Sequence, residues 1–182
     1  MSNLLPQSNL STINSKTANV DSLQYLRFRL DPDVRAILPI DQITEILKLQ
    51  LIEVMPIPQM PTWVMGVYNW RGNILWMVDL GQLIGLDSWY QHHHHRSEHT
   101  AIVLSPYRQH KKSERQIHLG LMVAGVEDLE NCQPEAIQAQ TDSQSDSQLN
   151  RFLQGYWLQP SGAMILALNG LAIAQAMPTT KL

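Results

Sequence analysis

The chain has 182 residues, a hydrophobic fraction of 44%, only 16% charged residues and a formal net charge of −3. That length allows one domain, or two small lobes on a shared core. The acidic balance supplies no basic field to attract nucleic acid, and the single cysteine, Cys132, excludes an intramolecular disulfide.

Residues 1–22 are rich in Ser, Asn, Thr and Gln without a period, and are expected to form a mobile polar tail. Tyr25 to Leu30 alternates: Leu26, Phe28 and Leu30 fall on one face and Tyr25, Arg27 and Arg29 on the other. The pattern predicts a half-buried strand, turned by Asp31-Pro32-Asp33 into a hairpin with Ala36-Ile37-Leu38. Ile40, Ile43, Ile46 and Leu47 then recur at helical spacing behind Pro39, which predicts a helix of one or two turns. Pro56, Pro58 and Pro61 forbid regular helix, so Met55 to Thr62 should cross over in extended form.

Val64 to Tyr68 and Ile74 to Val78 read as antiparallel strands around Trp70-Arg71-Gly72-Asn73, with Gly72 supplying the positive φ of the turn. Asp79 is expected to cap a short helix that Gly85 ends. The polar loop that follows contains His92-His93-His94-His95. Ala101 to Leu104 and Ile117 to Val123 read as apolar strands around a charged tip at Arg108 to Arg115.

A degenerate repeat follows. Leu121 aligns with Leu38, 83 residues earlier; Gly155 aligns with Gly66, 89 earlier; Gly162 aligns with Gly72, 90 earlier. The growing offset places insertions in loops, one of them the Ser/Asp/Gln stretch from Thr141 to Gln148. Short strands bounded by turns, with no long helix between them, point to a mainly β fold of small barrels or sandwiches.

Catalytic motifs are missing: there is no G-x-S-x-G, no G-x-x-x-x-G-K-S/T and no G-x-G-x-x-G. Glu45, Glu53, Asp79, Glu127 and Asp128 are scattered. Cys132 lies beside Glu130, which disfavours a thiolate. The chain therefore reads as a non-enzyme. His92, His93, His94 and His95 could bind zinc or nickel, and a metal-binding regulatory protein is the alternative function. Adjacent ligands on one loop surround a tetrahedral ion poorly, so a solvated loop is the simpler reading. No apolar segment reaches the roughly 20 residues that a spanning helix needs. The longest, Gly162 to Met177, is interrupted by Asn169, Gly170 and Gln175. The chain reads as soluble and cytoplasmic, with no membrane insertion.

Arg71 is exposed by its place in a tight turn and is a candidate protein–protein anchor, because its planar fork pairs carboxylates and carbonyls. Trp63 and Trp76 fit core packing, whereas Trp70 at the turn is expected at an interface. The second copy has Leu158-Gln159-Pro160-Ser161 in place of this turn, which isolates Asn69, Trp70 and Arg71 as the part least explained by folding.

The residues Ile37-Leu38-Pro39-Ile40, Ile43, Glu45-Ile46, Pro61-Thr62-Trp63-Val64, Gly66-Val67, Asn69, Arg71-Gly72 and Val78-Asp79-Leu80 resemble the CheW family, adaptor proteins of bacterial chemotaxis arrays. The likeness continues through Leu119 to Val123 and Phe152 to Leu168, and covers about residues 23–177. It implies two small SH3-like five-stranded barrels around a shared core, with a few short helices. On that reading lobe one runs roughly over residues 23–88 and lobe two over 99–177. Strand exchange between them is left open, and residues 178–182 form a tail. The resemblance implies no catalysis and no cofactor. Its implied partners are a CheA-type histidine kinase and the helical cytoplasmic tip of methyl-accepting receptors, in chemotaxis, phototaxis or twitching motility. Such an adaptor is recruited from the cytoplasm to membrane receptor arrays. Carried over, Ile43 would add apolar contact to the receptor, Gly66 would allow close backbone approach, and Asn69 and Arg71 would lie at the groove between barrels. Arg71 would pair with a receptor or internal carboxylate. The chain departs from the family pattern at Trp70, where Leu is usual, in its His-rich and Ser/Asp/Gln loops, and at Ser161-Gly162, where Asp-Gly is common.

Overall fold

Two sheets organise the chain. A computed structural model describes residues 22–88, 97–105, 118–139 and 147–178. The strands are β1 (Leu23–Arg29), β2 (Arg35–Pro39), β3 (Ile43–Leu49), β4 (Val64–Trp70), β5 (Asn73–Asp79) and β6 (His99–Leu104), followed by β7 (Leu119–Val123), β8 (Gly125–Cys132), β9 (Ile137–Gln138), β10 (Leu153–Leu158) and β11 (Met164–Leu168). Helix α1 (Leu80–Leu83) follows β5 and helix α2 (Gly170–Gln175) follows β11. Each has an amide-bonding cap: Asp79 Oδ1 accepts from Gln82 N, and Asn169 Oδ1 from Ala172 N.

One sheet runs β3-β6-β7-β5-β4 and the other β8-β1-β2-β11-β10-β9. Both take strands from the two halves of the sequence. In the first sheet the parallel pair is β5 with β7; in the second it is β11 with β2. The halves match element by element. β4–β5–α1 repeats as β10–β11–α2, and the one-residue bridge of Met55 to Val67 repeats as β9 on β10. That bridge against a two-residue strand is why one sheet counts five strands and the other six. Gly66 and Gly155 sit at matching register shifts.

Burial explains the short, strongly apolar strands. A shared core between the sheets holds Phe28, Leu38, Ile102, Leu121, Phe152 and Ile173, among others. Each barrel adds its own interior. Leu49, Val54, Trp70, Leu75, Met77 and Met122 are packed inside the β3–β7 barrel. Tyr25, Ile37, Cys132, Ile165 and Ala167 are packed inside the other. Central strands are thus buried on both faces: every residue of β6 and β7 is buried. Tyr25, expected on a solvated face, is buried for this reason. The outer ends of β1, β2 and β8 are tied by ion pairs of Arg27 with Glu127 (2.9 Å) and Glu130, and of Arg35 with Glu127 (3.2 Å).

The helix expected after Pro39 is not formed. A single 3-10 turn at Ile40–Gln42 leads into strand β3. A register shift between Ile43 and Glu45 separates Ile43, which lies in the shared core, from Glu45, Leu47 and Leu49, which face the barrel interior and its rim. Thr44, Ile46 and Lys48 point outward. Ile46, 44% exposed, lends the segment its false helical period.

The small interior around Tyr25 makes stability pH-dependent. Burial pushes the Tyr25 phenol above its ordinary 10.0, and burial followed by nearby Glu130 pushes the Cys132 thiol above 9.0. Both groups are held protonated by the fold. Their contribution is complete below those ordinary values and is lost as pH rises through the higher folded-state ones. The urea midpoint is therefore expected to fall as pH rises above the ordinary thiol value of 9.0, and Cys132→Ala should flatten that decline. An unchanged slope in Cys132→Ala would show that the thiol takes no part.

Candidate functional site

The site is built at the tip of the β4–β5 hairpin. Trp70 pairs with Asn73, leaving Arg71 and Gly72 as a two-residue loop. Both have positive φ, 53° at Arg71 and 81° at Gly72. That is the type I′ geometry whose twist matches a right-handed hairpin. Asn69 stabilises it, its Oδ1 accepting from Gly72 N at 3.0 Å. Arginine is a poor choice for the left-handed position, at a cost of about 1–2 kcal/mol. Asparagine or glycine would serve the turn better, so the turn itself does not account for the arginine.

Strands β3 and β4 are the two edges of their sheet, and the hairpin tip closes the gap between them. The Trp70 indole N–H donates to Glu45 Oε1 at 2.6 Å. Arg71 Nη2 donates to Glu45 Oε2. The Arg71 guanidinium carbon lies 5.6 Å from the centre of the Trp70 ring, and the His118 ring meets Trp70 edge-on at 5.1 Å. The Glu45 side chain is 21% exposed and that of Arg71 71%. An ion pair this exposed contributes at most about 1 kcal/mol, so folding stability gives little reason for Arg71. Beside the tip, a shallow cleft of about 290 Å³ is lined by Met55, Val67, Tyr68, Asn69 and Ile74. Met55 and Ile74 are 67% and 68% exposed. At the corresponding seam of the other barrel Gln159 Nε2 lies 3.5 Å from Glu130 Oε1.

Asn69, Trp70 and Arg71 lie together, as the sequence places them, but Trp70 does not face outward. It is 8% exposed and forms part of the barrel interior. Ile43 is 7% exposed within the shared core, on a strand rather than a helix. Gly66 is also buried. It has a φ of 144°, and a Cβ there would fall within 2.7 Å of the Met55 carbonyl carbon and 2.9 Å of Pro56 Cα. The close approach that Gly66 permits is therefore to the chain's own backbone. Two residues that sequence reasoning left unassigned complete the site. Glu45 counted as one scattered carboxylate, and Ile74 as a strand residue. No local signal marks Glu45, because its own charge breaks the apolar alternation of the strand that carries it.

Cys132 is 2% exposed, and burial and Glu130 hold its thiol protonated, which is the opposite of an activated nucleophile. Among the described residues no group of three His, Cys, Asp or Glu could hold a metal ion, and no helix is long and apolar enough to cross a membrane. His92, His93, His94 and His95 lie outside the described residues, as do residues 1–21, the tip at Arg108 to Arg115 and most of the Ser/Asp/Gln insertion.

Comparison with known proteins agrees with this fold. The crystal structure of the scaffolding protein TtCheW from Thermoanaerobacter tengcongensis superposes with a TM-score of 0.63 and 18% sequence identity, covering 81% of this chain and 89% of that one. No curated protein sequence matches the chain at a significant level. The family model of the CheW-like domain matches residues 24–177, nearly the whole two-sheet body, and the chain belongs to that family.

Proposed function

We propose that the protein is a non-catalytic adaptor that couples methyl-accepting receptors to a CheA-type histidine kinase, in chemotaxis, phototaxis or twitching motility. Family membership supports the adaptor role, and the neighbouring structure is itself described as a scaffolding protein. The observation that carries the reading to a site is Arg71. It is an exposed arginine held in a strained turn, where neither turn geometry nor stability calls for it. Arg71 and Asn69 are the proposed receptor contacts. Met55 and Ile74 supply adjoining apolar surface of the kind an amphipathic helix covers. Trp70 supports the tip from within the barrel. Such a protein works from the cytoplasm at membrane receptor arrays.

The test is co-elution of purified protein with a receptor signalling fragment and the kinase on a sizing column. Arg71→Ala is expected to weaken receptor binding by about tenfold, the scale of an interface arginine. It should leave Tm within about 2 °C, because the lost pair is exposed. Unchanged binding by Arg71→Ala would remove Arg71 from the interface; no complex with the wild-type protein would remove the adaptor role.

A further inference from the structure

Three contacts at the hairpin tip form a closed circuit. The buried Trp70 indole donates to one oxygen of Glu45, Arg71 donates to the other, and the Arg71 guanidinium returns over the Trp70 ring. The members differ in how firmly they are held. Trp70 is fixed by the barrel interior, by pairing with Asn73 and by the His118 ring against its own. Glu45 is mostly covered, while most of the Arg71 side chain is in solvent. A long exposed cation with one carboxylate partner ordinarily samples many rotamers. A carboxylate whose second oxygen is bound at 2.6 Å by a buried donor is a far stiffer partner.

We propose that Trp70 is a positioning residue: its indole N–H fixes Glu45, and Glu45 in turn holds the Arg71 guanidinium in one orientation, ready for a partner. The order of fixation runs from the barrel interior outward, so the free protein already carries the bound-state geometry and loses little freedom on association. This replaces the expectation that Trp70 itself meets the partner. Its relevance to receptor binding rests on the adaptor reading; its effect on Arg71 does not.

The experiment compares wild type, Trp70→Phe and Glu45→Gln by NMR of the arginine guanidinium Nη–H signals, with Arg71→Ala to assign them. Phenylalanine retains an aromatic ring and removes the donor. Glutamine retains an acceptor for the indole and removes the charge. In the wild type, Arg71 should give one sharp, slowly exchanging signal with relaxation close to that of the backbone. Trp70→Phe should broaden or average it while the backbone amide spectrum keeps its dispersion. Glu45→Gln, whose single amide oxygen serves the indole and whose NH2 then faces the guanidinium, should broaden it at least as much. Binding to a receptor signalling fragment should fall by about fivefold in Trp70→Phe, and by less than about twofold when Trp70→Phe is added to Arg71→Ala, since the two act through one contact. A purely structural Trp70 would lower Tm without this dependence on Arg71. The proposal is overturned if the Arg71 signal is unchanged in both variants, or if Trp70→Phe weakens binding equally with and without Arg71. Should the wild type bind no receptor fragment, the adaptor reading falls, and the Arg71 signal alone decides for or against positioning.

Discussion

Gly66→Ala is expected to lower stability by about 3 kcal/mol or more, a large share of the 5–15 kcal/mol typical of a folded domain. Two separate terms add. The residue has a φ of 144°, a region that side chains rarely adopt, and its Cβ would strike the Met55 and Pro56 backbone. No rotamer change relieves a clash with backbone. Nor can Met55 simply withdraw, because its N–H and C=O both bond Val67, at 2.8 and 2.9 Å. Calorimetry should show Tm lower by roughly 6–12 °C, at about 2–4 °C per kcal/mol for a chain of this size. Gly162→Ala is the control for the first term: its φ is 85°, but nothing lies within 4 Å of the added carbon. It should cost only about 1 kcal/mol. Equal losses in the two variants would show that the approach of Met55 is not what fixes glycine at position 66.

Glu45→Lys is expected to open the barrel seam. The substitution leaves the buried Trp70 indole without its acceptor, removes the partner of Arg71 and puts a second cation beside it. A buried donor left unpaired costs about 1–3 kcal/mol, and the like-charge contact adds to that. Glu45→Gln keeps an acceptor for the indole and should lose less than about 1 kcal/mol. Urea titration distinguishes the two through their midpoints at a common slope. If lysine and glutamine behave alike, the indole bond contributes nothing to the seam.

The same glutamate explains where sequence reading succeeded and where it failed. The β4–β5 hairpin and its copy were legible because apolar runs flank a turn with glycine at the required position. The caps of both helices were equally local, and Asp79 was identified as one. Strand β3 was not legible. Its inward positions are Glu45, Leu47 and Leu49, and the glutamate breaks the apolar alternation at the point where the strand meets Trp70. With Ile46 facing outward, the remaining apolar residues fall at helical spacing. A residue that bonds Trp70 and Arg71 thus disguised the element that carries it. Trp70 and Tyr25 were misplaced for another reason. Alternation separates two faces of a strand but cannot tell solvent from the inside of a barrel, and here both faces are filled. Met55 and Ile74 meet only through a bridge between distant segments, which no local pattern encodes.

The mixing of early and late strands within each sheet has a consequence during synthesis. The hairpin of β1 and β2 is made before the other described strands, yet its neighbours on either side are β8 and β11. Leu23 awaits Cys132, and Ile37 awaits Ala167, 130 positions later. At roughly 5–20 residues per second, the β2 edge of that hairpin stays unsatisfied for about 6–26 s, and the β1 edge until β8 is made. The other sheet is complete once β7 is made, so the later-starting barrel is the first that can close. Order of emergence and order of completion are reversed, and the barrel bearing Arg71 can stand as the template on which the rest is laid.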